Sequence, residues 1–109
     1  MTDTLLVLGQ SNPTANVLTT LYTVPSATST TISSITVCNQ SSGSANFNVS
    51  IAVAGAADSP QQYIYYQLFL DGNDTFIATV GLTLAATDQV RVLSTTGNLS
   101  FGLFGVQIT

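Results

Sequence analysis

The segment Asn46–Val53 reads NFNVSIAV and alternates between large apolar side chains and polar or small ones. A period of two is the mark of a β-strand with one face in a core and the other towards solvent. Phe47, Val49, Ile51 and Val53 are expected to share the core face. The segment therefore predicts a strand and favours an all-β fold.

Seven further segments are rich in β-branched and aromatic residues, as strands require. They are Thr4–Gly9, Val17–Val24, Ile32–Asn39, Gln62–Leu70, Thr75–Leu84, Gln89–Ser94 and Leu99–Ile108. Turn residues separate them, and the DGND sequence of Asp71–Asp74 is expected to close a hairpin because Asp-Gly readily adopts positive φ. About eight short strands with a turn about every 8–12 residues predict an antiparallel β-sandwich, jelly-roll or Greek-key-like.

The 109-residue chain is long enough for one domain with its own core. We expect residues 17–109 to form the sandwich. Residues 1–16 contain the apolar run Leu5–Leu8 and are set apart by Asn12-Pro13. They are expected to form either an arm that contacts neighbouring subunits or an edge strand of the chain's own sandwich. The run is too short for a membrane span, which needs about 20 apolar residues, and lacks the basic residues of a signal peptide.

Charged side chains make up 6% of the residues, against about 25% in a typical soluble domain. A surface of hydroxyl, amide and small apolar groups costs little to desolvate, so it suits burial against a partner, although a neutral extracellular domain has the same composition. The net charge of −4 and the absence of lysine argue against nucleic acid and anionic membranes as partners. The six charged residues are Asp3, Asp58, Asp71, Asp74, Asp88 and Arg91.

The chain has few residues that could act in catalysis or bind a metal ion. The chain has no His, Glu or Lys, so neither a Ser-His nor a Cys-His pair can form. Asp71 and Asp74 are expected to project from a turn rather than flank a cleft, and the turn offers few oxygen ligands for calcium. Cys38 has no second Cys or His for zinc and is expected to be a buried strand cysteine, compatible with a reducing cytoplasm. We therefore expect no enzymatic activity, no cofactor and no metal.

Two predicted strands are apolar on both faces. In Leu99–Ile108, Phe101 and Leu103 lie on one face while Phe104 lies on the other. In Gln62–Leu70, Tyr63 and Tyr65 share one face while Tyr66 lies on the other. Because a sandwich strand has one core face, the second needs cover from a neighbouring subunit or from a segment that folds back. Arg91 could anchor an ion pair at such an interface or could be an exposed strand arginine. The candidate interface residues are Leu5, Leu6, Val7, Leu8, Tyr63, Tyr65, Arg91, Phe101 and Phe104.

A set of short motifs runs through most of the chain from Val17 onward. The motifs are Leu21–Pro25, Ile35–Asn39, the strand with Phe47, Tyr65-Tyr66, Asn73–Phe76, Gly81–Ala85, Asp88–Val92, Asn98–Phe101 and Phe104–Val106. With them the chain resembles a small β-sandwich module of tailed-bacteriophage virion proteins. The resemblance implies a structural protein of the virion, assembled in the host cytoplasm. Our leading interpretation is a capsid decoration (cement) protein on the outside of the head, and the alternative is a tail, neck or fibre module.

This role implies protein partners. They would be the major capsid protein or another virion protein, together with further copies of the chain. A trimer is favoured because icosahedral shells offer threefold positions and repeated self-contacts usually close into rotational symmetry. A carbohydrate-binding sandwich is a third interpretation, since exposed tyrosines can stack on sugars, although the absence of Trp counts against it.

Overall fold

The computed structural model describes residues 2–109, and Met1, the first residue of the predicted N-terminal segment, lies outside them. The described chain forms eight β-strands and two short 3-10 turns, Val53–Gly55 and Pro60–Gln62, so the predicted all-β fold is confirmed. The predicted bounds of the last three strands are also those of the structure. The strands are β1 (Asp3–Ser11), β2 (Thr19–Thr23), β3 (Ser29–Asn39), β4 (Ala45–Ala52), β5 (Tyr63–Leu70), β6 (Thr75–Leu84), β7 (Gln89–Ser94) and β8 (Leu99–Ile108).

Residues 2–109 arrange these strands in two antiparallel sheets of four. Sheet A has the order β1-β8-β3-β6, and sheet B has the order β2-β7-β4-β5. The chain changes sheet at every connection except the one between β4 and β5. This order is that of the eight-stranded jelly roll, which contains two Greek keys. The molecule measures 45 × 27 × 19 Å, a flat slab as expected for two stacked sheets.

The core lies between the sheets and is built from alternate residues of the strands. Phe47 on β4 is fully buried, and its ring centroid lies 5.4 Å from that of Phe76 and 6.0 Å from that of Phe101. Phe101 was predicted as a candidate interface residue, and this prediction is wrong because its ring fills the centre of the core. Apolar burial and aromatic pairs, the main sources of stability in such a fold, are therefore concentrated between the two inner faces.

Part of the outer face of sheet B is covered by the chain itself. Ser50 points away from the core, opposite Arg91, yet its side chain is fully buried. The segment 53–62 folds back over this face and is held there by hydrogen bonds from Arg91 to the carbonyl oxygens of Gly55 and Ala56. Val53 was predicted on the core face, but β4 ends before it and its side chain is exposed. A folded-back segment therefore covers the part of this outer face around Ser50 and Arg91, while Tyr66 and Phe69 of β5 stay exposed.

Strand β5 departs from strict alternation because it contains a bulge. Gln67 has a φ of 51°, and its N–H donates to Oδ1 of Asn48 at 2.6 Å. The extra residue moves Tyr65 and Leu68 onto the core side, opposite Val49 and Phe47. The prediction that Tyr63 and Tyr65 share a face is therefore wrong, since the register irregularities place them on opposite sides.

The DGND turn connects two sheets and does not close a hairpin. Strand β5 pairs with β4, whereas β6 pairs with β3. The positive φ belongs to Asn73, at 56°, and not to Gly72. Gly72 is required for a different reason: a Cβ there would lie 2.1 Å from the carbonyl oxygen of Ser42.

The N-terminal segment contains an edge strand of sheet A. Strand β1 runs antiparallel to β8, and beyond it Thr2 and Thr109 exchange two backbone hydrogen bonds of 2.9 and 3.0 Å. Gly9 packs against β2, where a Cβ would lie 2.4 Å from the Leu21 carbonyl oxygen. Of the two alternatives for residues 1–16, the described chain takes the edge strand. Among the described residues, no helix has the length and apolar character needed to cross a bilayer.

Candidate functional site

The outer face of sheet A carries a stripe of apolar side chains along β1 and β8. Here "outer face of sheet A" means the surface of that sheet that points away from sheet B. Leu5 lies opposite Val106, and Val7 lies opposite Phe104. Leu5 is 80% exposed and Val7 is 51% exposed, while Phe104 and Val106 are partly buried. The stripe is thus accessible to a partner and is not covered by a segment of the described chain.

A second stripe, formed by β3 and β6, is dominated by hydroxyl groups. Thr31 lies between Val106 and Thr83, and Ser34 lies between Phe104 and Thr79. Ile77 on the edge strand β6 adds one apolar side chain, which is 66% exposed. The face therefore combines apolar area with neutral hydrogen-bonding groups, which is the composition of many protein interfaces.

Charge is almost absent from this face. All six charged side chains lie within residues 2–109. Only Asp3 belongs to a strand of sheet A, and it is the first residue of β1. The other five lie in turns, in the 53–62 segment or on β7. A partner that covers this face therefore has no central charge to desolvate.

A shallow groove of about 450 Å³ crosses the outer face of sheet A. Gly102 lies at its floor, between Gln10 and Thr36. A Cβ on Gly102 would lie 2.6 Å from Oγ1 of Thr36 and 3.1 Å from the Phe104 ring. The glycine therefore lets the Phe104 ring lie close to the sheet and keeps the groove open beside it.

The structure divides the residues of the predicted interface. Leu5, Val7 and Phe104 lie together on the outer face of sheet A. Leu6 points to the other side of β1, opposite Gly105, and is 37% exposed. Leu8 belongs to the core, because a bulge between Val7 and Gly9 leaves it without a ladder partner and its side chain packs inwards.

The remaining predicted residues lie elsewhere. Tyr65 packs against the core, with its ring centroid 5.3 Å from that of Phe76, and is partly buried by the chain itself. Tyr63 and Arg91 lie on the outer side of sheet B. Within the described chain Arg91 forms no ion pair and is partly buried: its hydrogen bonds to Gln89 Oε1 and to the carbonyls of Gly55 and Ala56 all have neutral acceptors.

Three members of the face were not among the predicted interface residues. Val106 and Ile108 follow from the alternation in β8, which places them with Phe104. Ile77 follows from the alternation in β6, where Phe76 and Ala78 point inwards. The alternation along each strand can be seen in the sequence. Which of the two faces of a strand lies in the core becomes known only from the order of the strands in the sheets.

The described residues contain no cluster of three or more His, Cys, Asp or Glu side chains that could hold a metal ion. Cys38 lies on a strand, β3, as predicted. It is only partly buried and lines the groove on the outer face of sheet A, whereas full burial was predicted.

No protein-family model and no curated protein sequence matches this chain. Two chains from structures of infectious bursal disease virus are similar in fold. The chain from the Gx strain matches over 97% of this chain with a TM-score of 0.51 and 10% sequence identity. The chain from the Gt strain matches over 96% with a TM-score of 0.48 and 8% identity.

Our chain spans only 30–31% of the length of these two viral chains. At such low identity the likeness of the Gx chain concerns the fold alone. The fold class is thus an eight-stranded jelly roll, an architecture that occurs in viral capsid domains and also in lectins and cupins. The resemblance to tailed-bacteriophage modules and the decoration role stay predictions.

Proposed function

We propose that this chain is a non-catalytic structural protein of the virion, namely a capsid decoration (cement) protein of a tailed bacteriophage. It would bind the outer surface of the head through the outer face of sheet A. The observation that carries the proposal is this face itself, which is open, nearly free of charge and apolar along β1 and β8.

The energetics of the face favour a protein partner. Burial of an exposed side chain such as Leu5 or Ile77 contributes about 1.5–3 kcal/mol. The hydroxyl groups of β3 and β6 can pair with polar groups of a partner at little desolvation cost. A broad face of a slab that measures 45 × 27 Å can supply the roughly 800 Å² per partner that a stable interface buries.

The fold supports the viral role without deciding it. Jelly rolls serve as capsid domains, and the Gx chain with a similar fold comes from a virus structure. Lectins share the architecture, as do cupins, so the choice rests on the surface and on the sequence resemblance.

Matched serine substitutions test the interface. We expect Val7→Ser, and more strongly the double variant Leu5→Ser/Val7→Ser, to weaken attachment to purified particles that lack the protein. Val53→Ser is the control, because Val53 is exposed at 67% but lies beside sheet B. Attachment is measured by co-sedimentation, and the melting temperature of each variant is measured alongside.

Equal loss of attachment in the Val53→Ser control would contradict the assigned face. The location is tested separately, by imaging particles that carry the labelled chain. Label over the shell supports the decoration role. Label on the tail, neck or fibres replaces it with the alternative structural role.

A further inference from the structure

A cleft lies on the side of the molecule opposite the proposed interface. It has a volume of about 530 Å³ and is lined by Asp58, Ser59, Pro60, Tyr63 and Tyr66. This volume falls within the range of small-molecule sites, about 300–1,000 Å³.

Two tyrosine rings form the apolar wall of the cleft. The ring planes of Tyr63 and Tyr66 make an angle of 87°, and their centroids are 5.3 Å apart. Tyr66 is 66% exposed, so most of its ring is available to a ligand. The register irregularity between Tyr63 and Tyr65 contributes to this placement, because strict alternation would put Tyr63 and Tyr66, three positions apart, on opposite sides of sheet B.

The polar wall is held in place by hydrogen bonds. The Tyr63 hydroxyl donates to the Asp58 carboxylate, with distances of 2.8 and 2.9 Å to its two oxygens. Gln62 Nε2 donates to the Ala57 carbonyl at 2.9 Å, which anchors the loop next to Asp58. Arg91 fixes the preceding residues of the same loop. The carboxylate is therefore positioned before any ligand arrives.

The protonation of Tyr63 supports this arrangement. Partial burial, the hydrogen bond to Asp58 and the negative charge of that carboxylate raise the pKa of Tyr63 above its usual value of 10.0. The phenol therefore keeps its proton throughout the neutral range and continues to donate to Asp58.

We propose that this cleft binds a neutral pyranose sugar. The C–H face of a pyranose packs on an exposed aromatic ring such as that of Tyr66. Its hydroxyl groups can donate to the remaining lone pairs of the Asp58 carboxylate, which accepts at up to about four sites. The described residues lining the cleft include no lysine or arginine, and the Asp58 charge repels anions, so an acidic sugar or a phosphate is disfavoured.

The sugar site does not depend on the decoration role. It uses residues of β5 and of the loop before it, whereas the proposed interface uses sheet A. If both hold, a chain attached through sheet A presents the cleft away from the shell.

Titration of the isolated protein with methyl glycosides tests the site. The panel contains the methyl glycosides of glucose, mannose, galactose and N-acetylglucosamine, with choline chloride and sodium sulfate as charged probes. Binding is followed by NMR signals of the Tyr63 and Tyr66 rings. We expect at least one glycoside to bind with a Kd in the millimolar range and the two charged probes not to bind.

Two variants and one control locate the binding. Tyr66→Ala and Asp58→Asn are each expected to weaken the binding about tenfold, a change of about 1.4 kcal/mol. Phe69→Ala is the matched control, because Phe69 is an exposed aromatic residue of the same strand outside the cleft. Both substituted residues are exposed, and the melting temperature of each variant verifies that it folds.

Three results would overturn the proposal. The first is that no glycoside of the panel perturbs the tyrosine signals at concentrations up to about 50 mM, which is far above a Kd in the millimolar range. The second is that choline binds and the glycosides do not, which would make the tyrosine pair a site for quaternary ammonium groups. The third is that Phe69→Ala weakens the binding as much as Tyr66→Ala.

Discussion

Phe101 and Phe104, three positions apart on β8, show how much the face of a strand decides at the scale of one residue. Phe101 is 2% exposed and packs against Phe47, whereas Phe104 lies on the outer face of sheet A. The alternation in the sequence separates the two residues correctly. It does not say which of the two faces is the core, and for this reason both were predicted as interface residues.

Phe101→Ala is expected to lower the free energy of unfolding by about 3–5 kcal/mol, because it opens a cavity between the sheets. Urea denaturation followed by far-UV circular dichroism measures the change. Ile77→Ala on the outer face is the control, with an expected change within about 0.5 kcal/mol. Similar losses in the two variants would contradict the assignment of the core face.

Asp88 is a buried charge whose partners the sequence does not reveal. Its Oδ1 accepts from the N–H of Ala54 and its Oδ2 accepts from the N–H of Ala85, each at 2.9 Å. The carboxylate thus joins the start of the 53–62 segment to the turn before β7. Because Ala54 is 34 positions away, no local pattern could predict this role.

Asp88→Asn is expected to destabilise the fold by about 1–3 kcal/mol, because the amide can accept only one of the two N–H groups and leaves the other without a partner. Thermal and urea unfolding measure the change. Asp71→Asn, in an exposed turn, is the control and should leave stability nearly unchanged. If the two variants unfold alike, Asp88 does not join the two loops.

At the scale of strands, the sequence predicts where each element lies but not how the elements pair. The eight segments are found close to their predicted bounds. The hairpin expected between β5 and β6 is absent from the described chain because each strand pairs in a different sheet. Pairing depends on contacts between residues far apart in the sequence, such as Thr30 with Gln107, and single-strand periodicity carries no information about them.

Deletion of residues 1–12 is expected to lower the stability of the free domain by about 3 kcal/mol or more, because β8 loses one of its two neighbouring strands and Leu8 no longer packs against the core. The melting temperature of the shortened chain measures this effect. An unchanged melting temperature combined with weaker assembly would instead show that the segment acts as an arm on a neighbouring subunit.

At the scale of the whole molecule, the two sheets have unequal surroundings. The 53–62 segment covers part of the outer side of sheet B, whereas no segment of the described chain covers the outer face of sheet A. The composition already indicates a surface with few charges, but the position of the open face depends on the complete topology. An open apolar face on a chain of this size favours self-association.

We expect the purified protein to form an oligomer at micromolar concentration, with a trimer favoured. Sedimentation velocity measures the state. In the free protein, where no shell occupies the outer face of sheet A, the variant Leu5→Ser/Val7→Ser should shift the equilibrium towards monomer, whereas Val53→Ser should not. A wild-type protein that stays monomeric both in solution and on the particle contradicts this prediction.

Attachment to particles is expected to depend only weakly on salt. The outer face of sheet A carries Asp3 at its end, and the interaction rests on apolar burial and neutral hydrogen bonds, which ionic screening hardly affects. Co-sedimentation in low salt and at about 1 M salt, where the Debye length is about 3 Å, tests this. Release of the protein at high salt would show that charge pairs dominate the contact.

The paired backbones of Thr2 and Thr109 make the chain a candidate for circular permutation. Their hydrogen bonds of 2.9 and 3.0 Å hold the two ends of the described chain side by side, so a short linker can join them. New ends can be opened at Gly97–Asn98, an exposed turn where a Cβ on Gly97 would meet no atom within 4 Å. In the permuted chain β8 would come first along the sequence, and each strand of sheet A would keep the neighbours that it has now.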